Sequence, residues 1–474
     1  MNDLIKLCEK NIANSLKDFS TFLSFKSIST DPKYKDGVIA CSEWLADEIK
    51  KSGFTVELWH ESGNPVIFAE NLRAGPDKPT LLIYNHYDVQ PVDPESEWDT
   101  PPFQATERNG QIYARGAEDN KGQCFYVLQA MKTLAQQSQT LPINVKWVIE
   151  GEEECGSMGL ASILEKGERN KKLKADHLAI VDMGFYDPKA PAVTLGVRGI
   201  VTMEVRLQGS NGDLHSGSHG GIVYNPLHAL VEMLNKLRDQ DGRVLIPGFY
   251  DDVRELSPEE KSQIALDFDQ KIYEKTFDAK PSGGEKNYTP FERAWLRPTL
   301  EINGISGGYG GLGFKTVLPA KALAKISCRL VPNQDPEKMG RLVADHIKKL
   351  APPGIKVEVE IYQGKGKACR ANPDSKVVRA FAQAYEELFH KPCKKIFDGG
   401  SIPIATSLAE ASQSEVILMG FGLPTDQIHA PNEHFGIDRL AKGCFVMIRT
   451  MEILGGVGTQ RKPNTFQAQE CTTL

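Results

Sequence analysis

The chain has 474 residues, of which 40% are apolar and 25% are charged, as in an ordinary globular protein. At about 100 to 200 residues per domain it is long enough for several structural units, and its composition excludes disordered, collagen-like and small disulfide-rich proteins. The 56 basic and 62 acidic side chains leave a formal net charge of −6, which provides no global attraction to nucleic acid or anionic lipid.

Two amphipathic helices are predicted first along the chain. Leu4, Cys8 and Ile12 recur at helical spacing, as do Leu45 and Ile49. Charged side chains interrupt the first twenty residues, so these residues do not form the apolar core of a signal peptide. No apolar run is long enough to span a bilayer. We therefore expect neither a membrane nor a nucleic acid as partner.

The nine cysteines include no CxxC pair. This pattern argues against a disulfide framework and against a zinc site made of thiolates. We expect a reducing, cytoplasmic location.

Strands and helices then alternate. Runs rich in Val, Ile, Leu and aromatic residues predict strands, and a helix is expected from Lys121 past Met131. This alternation predicts an α/β sheet flanked by helices. The predicted strands are residues 54–59, 66–69, 80–84, 143–149 and 178–181.

The middle of the chain predicts a second, smaller unit. Residues 197–207 alternate apolar and polar side chains, as in a strand with one exposed face. The elements that follow predict the βαββαβ order of a ferredoxin-like unit: helix 226–237, strands 298–302 and 321–330, helix 336–350 and strand 355–362. Between its first helix and second strand lies an insertion with a capping box that begins at Ser257.

The α/β pattern resumes after Ala371, with a helix at 377–389, a strand at 416–419 and a helix at 438–454. The β-rich unit is therefore predicted to be inserted into a larger α/β domain. We divide the chain into the first part of the large domain at 1–193, the inserted domain at 194–368 and the second part of the large domain at 369–474. A structureless tail is expected from Gly455.

Histidine and acidic residues follow several predicted strands. His86 and Asp88 come directly after the strand TLLIY, at the end where open α/β sheets bind ligands. Asp88 could orient His86 on a metal. A hydrogen-bonded histidine at a strand end would explain the same pattern.

Further acidic residues occur at comparable places. Asp119 lies in a glycine-rich loop before a helix, where helix capping by Asp119 or Asn120 is the alternative. Glu153 and Glu154 belong to an acidic run after the strand 143–149. A solvated turn is the alternative there, although cations best neutralise repelling carboxylates at a ligand-binding edge.

Asp182 and His429 follow two more predicted strands. Together the candidates form a set of two histidines and several carboxylates, which suits Zn²⁺ or Mn²⁺. Two metals that share one carboxylate would account for the excess of acids.

These motifs, in this order, resemble the M20 family of dinuclear metallopeptidases, most closely its cytosolic nonspecific dipeptidase and carnosinase branch. The resemblance covers nearly the whole chain. It rests on NHYDVQPV, ARGAEDNKG, EGEEECGS, the strand end at Asp182, DLHSG, CRLVPN, GGSIP and HAPNE.

The resemblance implies a catalytic domain with a mixed sheet flanked by helices, and an inserted ferredoxin-like domain that acts as a lid and mediates dimerisation. It implies two divalent metal ions per subunit, Zn or Mn, with Asp119 as the bridging ligand. One metal would be held by His86, Asp119 and Asp182, and the other by Asp119, Glu154 and His429.

The resemblance also assigns roles to the residues beside the metals. Glu153 is implied as general base and Asp88 as the orienting partner of His86. Glu152 is left as a solvent-facing extra. Asp182 and His429 are expected to face the substrate as well as the metals.

Residues of the inserted domain are implied to complete the site. His215 of DLHSG would reach across a homodimer into the other subunit's active site and polarise the scissile carbonyl. Thr316, Arg329 and Ser401 would grip the substrate, with Arg329 suited to a terminal carboxylate. For Arg329, a surface charge on a strand is the alternative. Residues 364–370 carry no histidine, unlike close relatives, so this subsite is expected to differ.

The predicted activity is metal-dependent hydrolysis of the peptide bond of a dipeptide or another small amide. A metal-bridged hydroxide would attack after Glu153 takes its proton. The alternative is an N-acyl-amino-acid deacylase or desuccinylase of the same family. An inactive metal-binding scaffold protein is a distant alternative, because neither the base nor any expected ligand has been lost.

Overall fold

The first part of the chain folds into helices and strands close to the predicted places. The computed structural model describes residues 2–457 except 62, 139 and 186. The apolar spacing predicted for the two N-terminal helices is confirmed, because Cys8, Ile12, Leu45 and Ile49 are fully buried. The elements are α1 (Asn2–Ser24), α2 (Lys35–Lys51), β1 (Thr55–Trp59), β2 (Val66–Asn71), β3 (Thr80–His86), β4 (Thr106–Arg108), β5 (Gln111–Tyr113), α3 (Lys121–Gln137), β6 (Asn144–Glu150), α4 (Met158–Glu165), α5 (Asn170–Leu173), β7 (His177–Val181) and β8 (Ala192–Val197).

The middle part begins with a long strand of alternating burial. Val201, Val205 and Leu207 face a small hydrophobic core of their own. The elements are β9 (Gly199–Gln208), β10 (Leu214–His215), α6 (Ser216–His219), α7 (Pro226–Asn235), α8 (Pro258–Ser262), α9 (Gln270–Phe277), β11 (Thr299–Gly307), β12 (Val317–Leu318), β13 (Lys321–Leu330), α10 (Pro336–Lys349) and β14 (Lys356–Ile361).

The last part of the chain completes the large domain begun by the first part. Its elements are β15 (Cys369–Arg370), α11 (Lys376–Phe389), β16 (Lys394–Asp398), α12 (Ala405–Ser412), β17 (Glu415–Met419), β18 (His434–Gly436) and α13 (Ile437–Leu454). α13 packs against both α1 and α3, so the two ends of the described chain meet in one helical layer. Most of the predicted tail lies beyond Val457, outside the described residues.

A mixed sheet organises the large domain, in the order β1-β2-β6-β3-β7-β17-β8-β15, with β16 also paired to β8. β6, β3, β7 and β17 form a parallel block at its centre. β2 joins this block in antiparallel register. The prediction of an α/β fold with a mixed sheet is confirmed. The sheet runs on to Val197, past the division expected at 193/194.

The smaller sheet has the order β11-β13-β9-β14, and every neighbouring pair is antiparallel. In the chain its elements follow the order β9, α7, β11, β13, α10, β14. Both helices pack on the face that carries the small core. β11 forms one edge of this sheet.

The insertion between α7 and β11 packs against the large domain. The sequence did not predict this contact. Trp295 and Leu296 are buried in the large core. The backbone N–H of Ala265 donates to the carbonyl of Lys395 on β16 over 2.9 Å. The capping box at Ser257 is present and begins α8.

No helix in the described part of the chain is both long and apolar enough to cross a bilayer. The eight cysteines in that part are all free thiols.

Candidate metal centre

The candidate site lies where four neighbouring parallel strands end. His86 is the last residue of β3 and Asp182 follows β7 directly. Glu153 begins a short 3-10 turn after β6, and His429 lies in the loop after β17. Because the carboxyl ends of parallel strands share one edge of the sheet, residues distant in the chain converge there.

Asp119 lies at the middle of this group. Its Oδ1 is 3.1 Å from His86 Nε2, and its Oδ2 is 2.9 Å from His429 Nε2. The Asp119 side chain is 13% exposed, and that of His429 is 52% exposed. Each oxygen of this carboxylate therefore faces a different imidazole, one buried and one open to solvent.

The first group consists of His86, Asp119 and Asp182. His86 Nε2 is 3.6 Å from Asp182 Oδ1, which also accepts a 2.6 Å hydrogen bond from Asn120 Nδ2. Asn120 is at the N-cap position of α3 but makes no side-chain capping bond. Its amide instead aims the carboxylate of Asp182, so the helix-capping alternative does not hold for Asn120.

The second group consists of Asp119, Glu154 and His429. Glu154 Oε2 is 3.4 Å from His429 Nε2 and accepts a 2.7 Å hydrogen bond from Gln90 Nε2. Glu154 Oε1 is buried and has no hydrogen-bond partner among the described residues. A buried carboxylate oxygen without a partner is costly, and a divalent cation would satisfy it.

Asp88 braces both the histidine and the acidic turn. His86 Nδ1 is 3.3 Å from Asp88 Oδ1 and 3.1 Å from the Asp88 carbonyl oxygen. The Asp88 carboxylate also accepts from the backbone N–H of Glu153 at 3.2 Å and of Glu154 at 3.0 Å, and from Ser29 Oγ at 2.6 Å. The expected contact between Asp88 and His86 is present, and the same carboxylate holds the turn after β6.

Three consecutive acids have three different environments. The prediction that Glu152 faces solvent is wrong, because its half-buried carboxylate accepts from Asn64 N at 2.9 Å and from Gly159 N, in the first turn of α4, at 2.6 Å. Glu154 points at His429. The Glu153 carboxylate receives no hydrogen bond from any residue that the structure describes, so it is available to a water or a substrate.

Burial and mutual repulsion make this group of acids difficult to ionise together. Burial, followed by the charge of Asp119, raises the pKa of Glu154 well above its usual range. Burial likewise raises the pKa of Asp182. Burial opposes ionisation of Asp119 too, but hydrogen bonds from His429 and His86 hold its pKa below the usual range. Cations would remove this conflict, so the oxygen and nitrogen donors fit divalent metal ions.

The residues of the inserted domain and of GGSIP that were predicted to bind the substrate form two separate pairs. Arg329 on β13 donates a 2.6 Å hydrogen bond to Ser401 Oγ. His215 on β10 is exposed, and its neighbour Ser216 donates its N–H to the carbonyl of Thr316 over 3.0 Å. Among the described residues no hydrogen bond or ion pair joins either pair to the candidate metal ligands.

Comparison with known proteins identifies the family. The sequence model of Peptidase family M20/M25/M40 matches residues 82–453. The chain belongs to this family. The resemblance drawn from the motifs is confirmed, and so is the prediction of a hydrolase that acts on peptide bonds.

Relatives of this M20 peptidase match it over most of its length. The Cys-Gly metallodipeptidase dug1 of Schizosaccharomyces pombe is 30% identical over 456 residues, which are 94% of this chain and 96% of that protein. The Beta-Ala-His dipeptidase of Rattus norvegicus is 34% identical over 444 residues, 90% of each chain. The crystal structure of the M20 family metallo-carboxypeptidase Sso-CP2 from Sulfolobus solfataricus is 36% identical with a TM-score of 0.85, and the match covers 93% of this chain and 99% of that one.

The sequence reasoning missed the role of Glu433 in this M20 peptidase. Its fully buried carboxylate accepts from the backbone N–H groups of Gly116, Glu118 and Asp119 at 2.8, 2.9 and 3.0 Å. It also forms a 2.8 Å ion pair with buried Arg115. The residue was visible as the last letter of HAPNE, but the pattern did not show that it shapes the loop that carries Asp119.

We predict that Glu433→Gln lowers the free energy of unfolding by about 3 kcal/mol, because buried Arg115 loses its counter-charge. Denaturant unfolding measures this change. The matched control is Glu410→Gln, whose exposed carboxylate is 3.6 Å from Lys367 Nζ and should matter little. Equal losses in the two variants would contradict the role given to Glu433.

Proposed function

We propose that this protein is a metallodipeptidase that hydrolyses the peptide bond of dipeptides. The proposal depends on one observation: Asp119 belongs to both groups of potential metal ligands. The carboxylate of Glu153, beside these groups, accepts no hydrogen bond from the described residues. The names of the dug1 and Beta-Ala-His relatives, which match at least nine-tenths of the chain, support dipeptides as the substrate class.

In this proposal His86, Asp119 and Asp182 would hold one divalent ion, and Asp119, Glu154 and His429 would hold the other. Imidazole and carboxylate donors suit Zn²⁺ or Mn²⁺. Such ions, when bound, lower the pKa of a coordinated water and polarise a carbonyl oxygen. Asp88 fixes the ring of His86, and Asn120 fixes the carboxylate of Asp182.

Glu153 is the proposed general base. It takes a proton from the attacking water and gives it to the nitrogen of the leaving amine, so one carboxylate serves both halves of the reaction. Its turn is held through its backbone by Asp88, which leaves the side chain free to perform this transfer.

We predict that Glu153→Gln lowers kcat by about 10² to 10⁴, the contribution typical of a positioned base, while metal content stays at the wild-type value. Steady-state kinetics and metal analysis of the same preparations measure both. The control is the neighbouring Glu152→Gln, which should keep near-wild-type kcat because Glu152 bonds only to backbone N–H groups in the structure. A kcat for Glu153→Gln within tenfold of wild type would refute the assignment.

Arg329 and Ser401 are proposed to bind the terminal carboxylate of the substrate. They are joined by a 2.6 Å hydrogen bond, and Ser401 follows a loop whose carbonyls at Gly399 and Gly400 accept from Arg198. A guanidinium fork suits a carboxylate because it can donate two parallel hydrogen bonds.

We predict that Arg329→Gln raises KM for free dipeptides by about tenfold to a hundredfold, as expected for a lost charged hydrogen bond. The KM for the corresponding dipeptide amides, which lack this carboxylate, should change little. Comparing each substrate pair on wild type and variant measures the difference. Equal increases for both members of a pair would count against carboxylate recognition.

The inserted domain is proposed to be a lid that forms a homodimer. β11 is an edge strand, and its Ile302 and Ile305 are exposed. Leu312 and Phe314, in the loop before Thr316, are 99% and 101% exposed. Exposed apolar side chains on an edge strand and on a loop are typical of an interface. His215, exposed and tied to the same loop, would then act on a substrate in the other subunit.

We predict that mixing His215→Ala subunits with Glu153→Ala subunits restores part of the activity, because each mixed dimer then contains one site with both groups intact. Dipeptidase assays on verified heterodimers measure the rescue. Glu153→Ala mixed with Glu154→Gln is the control and should give none, since both changes lie in the same half of the site. No rescue by the His215→Ala mixture would rule out action across subunits.

Two other activities remain to be separated by experiment. The similarity to Sso-CP2 makes a metallo-carboxypeptidase the second candidate, and an N-acyl-amino-acid deacylase or desuccinylase is the third. Metal-free enzyme refilled with Zn²⁺ or Mn²⁺ should hydrolyse dipeptides faster than longer peptides and faster than acetylated or succinylated amino acids. A preference for either of the other two classes would overturn the proposal.

We also propose a cytoplasmic location, which the free thiols of the described residues support.

A further inference from the structure

A cavity apart from the candidate metal centre lies where the insertion meets both domains. Its volume is about 120 Å³. The lining comes from the insertion, from the turn 331–333 after β13, and from β15 of the large domain. None of the residues assigned above to metal or substrate lines it, so the proposed catalysis does not explain it.

Most of the charged side chains around this cavity are paired. Lys261 Nζ is 2.7 Å from Glu292 Oε1. Arg297 forms ion pairs with Glu285 at 2.9 Å and with Glu255 at 3.0 Å, and Arg254 pairs with Glu260. Three of the four cations of the lining therefore have a carboxylate partner, and Arg254 uses only Nη2 for its pair with Glu260.

Arg370 is the exception. Its guanidinium carbon lies 4.5 Å from the ring centre of Phe397, which fixes its plane from one side. No hydrogen bond or ion pair connects this guanidinium to any of the described residues. Arg370 is exposed to solvent, and partial burial, followed by the charge of Arg254, lowers its pKa against the opposing charge of Glu260. Arg370 and Arg254 thus line the same cavity, and the guanidinium donors of Arg370 face no acceptor among the described residues.

We propose that this cavity binds a small oxyanion, such as a phosphate or a carboxylate, between Arg370 and Arg254. Both groups carry oxygens in the geometry that a guanidinium fork recognises. Arg254 belongs to the insertion and Arg370 to the large domain, so the bound anion links the two. The contact between Ala265 and Lys395 shows that the insertion already docks on this side of the large domain.

Calorimetric titration of the metal-loaded protein with inorganic phosphate, at constant ionic strength, tests the proposal. We expect Arg370→Gln to weaken binding at least tenfold, and Arg254→Gln to do the same should the first variant fold poorly. The matched control is Arg341→Gln, an exposed cation on α10 that does not line the cavity and should bind phosphate as wild type does. Circular dichroism and dipeptidase activity verify the fold of each variant.

Phosphate that binds only at the metal centre would be insensitive to Arg370→Gln and Arg254→Gln, and this result would overturn the proposal. The proposal would also be overturned if wild type bound no phosphate up to about 10 mM, a concentration well above the Kd of weak but specific ligands. Repeating the titration with acetate shows whether the cavity prefers a phosphate or a carboxylate.

Discussion

The carboxylate of Asp119 is shared between His86 and His429, and the rest of the site is arranged around this constraint. One histidine comes from the end of β3 and faces Oδ1, and the other comes from the loop after β17 and faces Oδ2. The parallel block β6-β3-β7-β17 provides this, because four carboxyl ends lie side by side at one edge of the sheet. The grouping of the candidate metal ligands therefore depends on long-range strand order more than on any single loop.

Two fully buried carboxylates hold this arrangement in place. Asp88 joins the ring of His86 to the turn of Glu153 and Glu154, and Glu433 fixes the backbone around Asp119 through three N–H groups. Each of these acids is compensated by hydrogen bonds or by an ion pair, as buried charges must be. By contrast, Glu154 Oε1 has no hydrogen-bond partner among the described residues, and the Glu153 carboxylate accepts no hydrogen bond from them. Around the cavity lined by the insertion, Arg370 likewise has no ion-pair partner among the described residues, whereas the other three cations are paired.

The sequence predicted most of the candidate metal ligands that the structure brings together, because strand-end residues of a parallel sheet converge whatever the details of the loops. His86, Asp182 and His429 were found in this way, and the family motifs supplied their grouping. Glu152 was placed wrongly because its partners, at Asn64 and Gly159, come from a distant loop and from the first turn of α4. β8 and β16 were missed because their apolar runs are short, and a short strand is defined by its neighbours in the sheet. The docking of Trp295 on the large core is likewise a long-range contact that no local pattern shows.

The central proposal is that one carboxylate, Asp119, would hold two metal ions at once. Crystals of the zinc-loaded protein, measured at the zinc absorption edge, test it most directly because anomalous scattering locates each ion independently of the protein atoms. The account predicts two peaks per subunit on either side of Asp119, one contacting His86 and Asp182 and the other contacting Glu154 and His429. A single peak, or two peaks of which only one contacts Asp119, would contradict it.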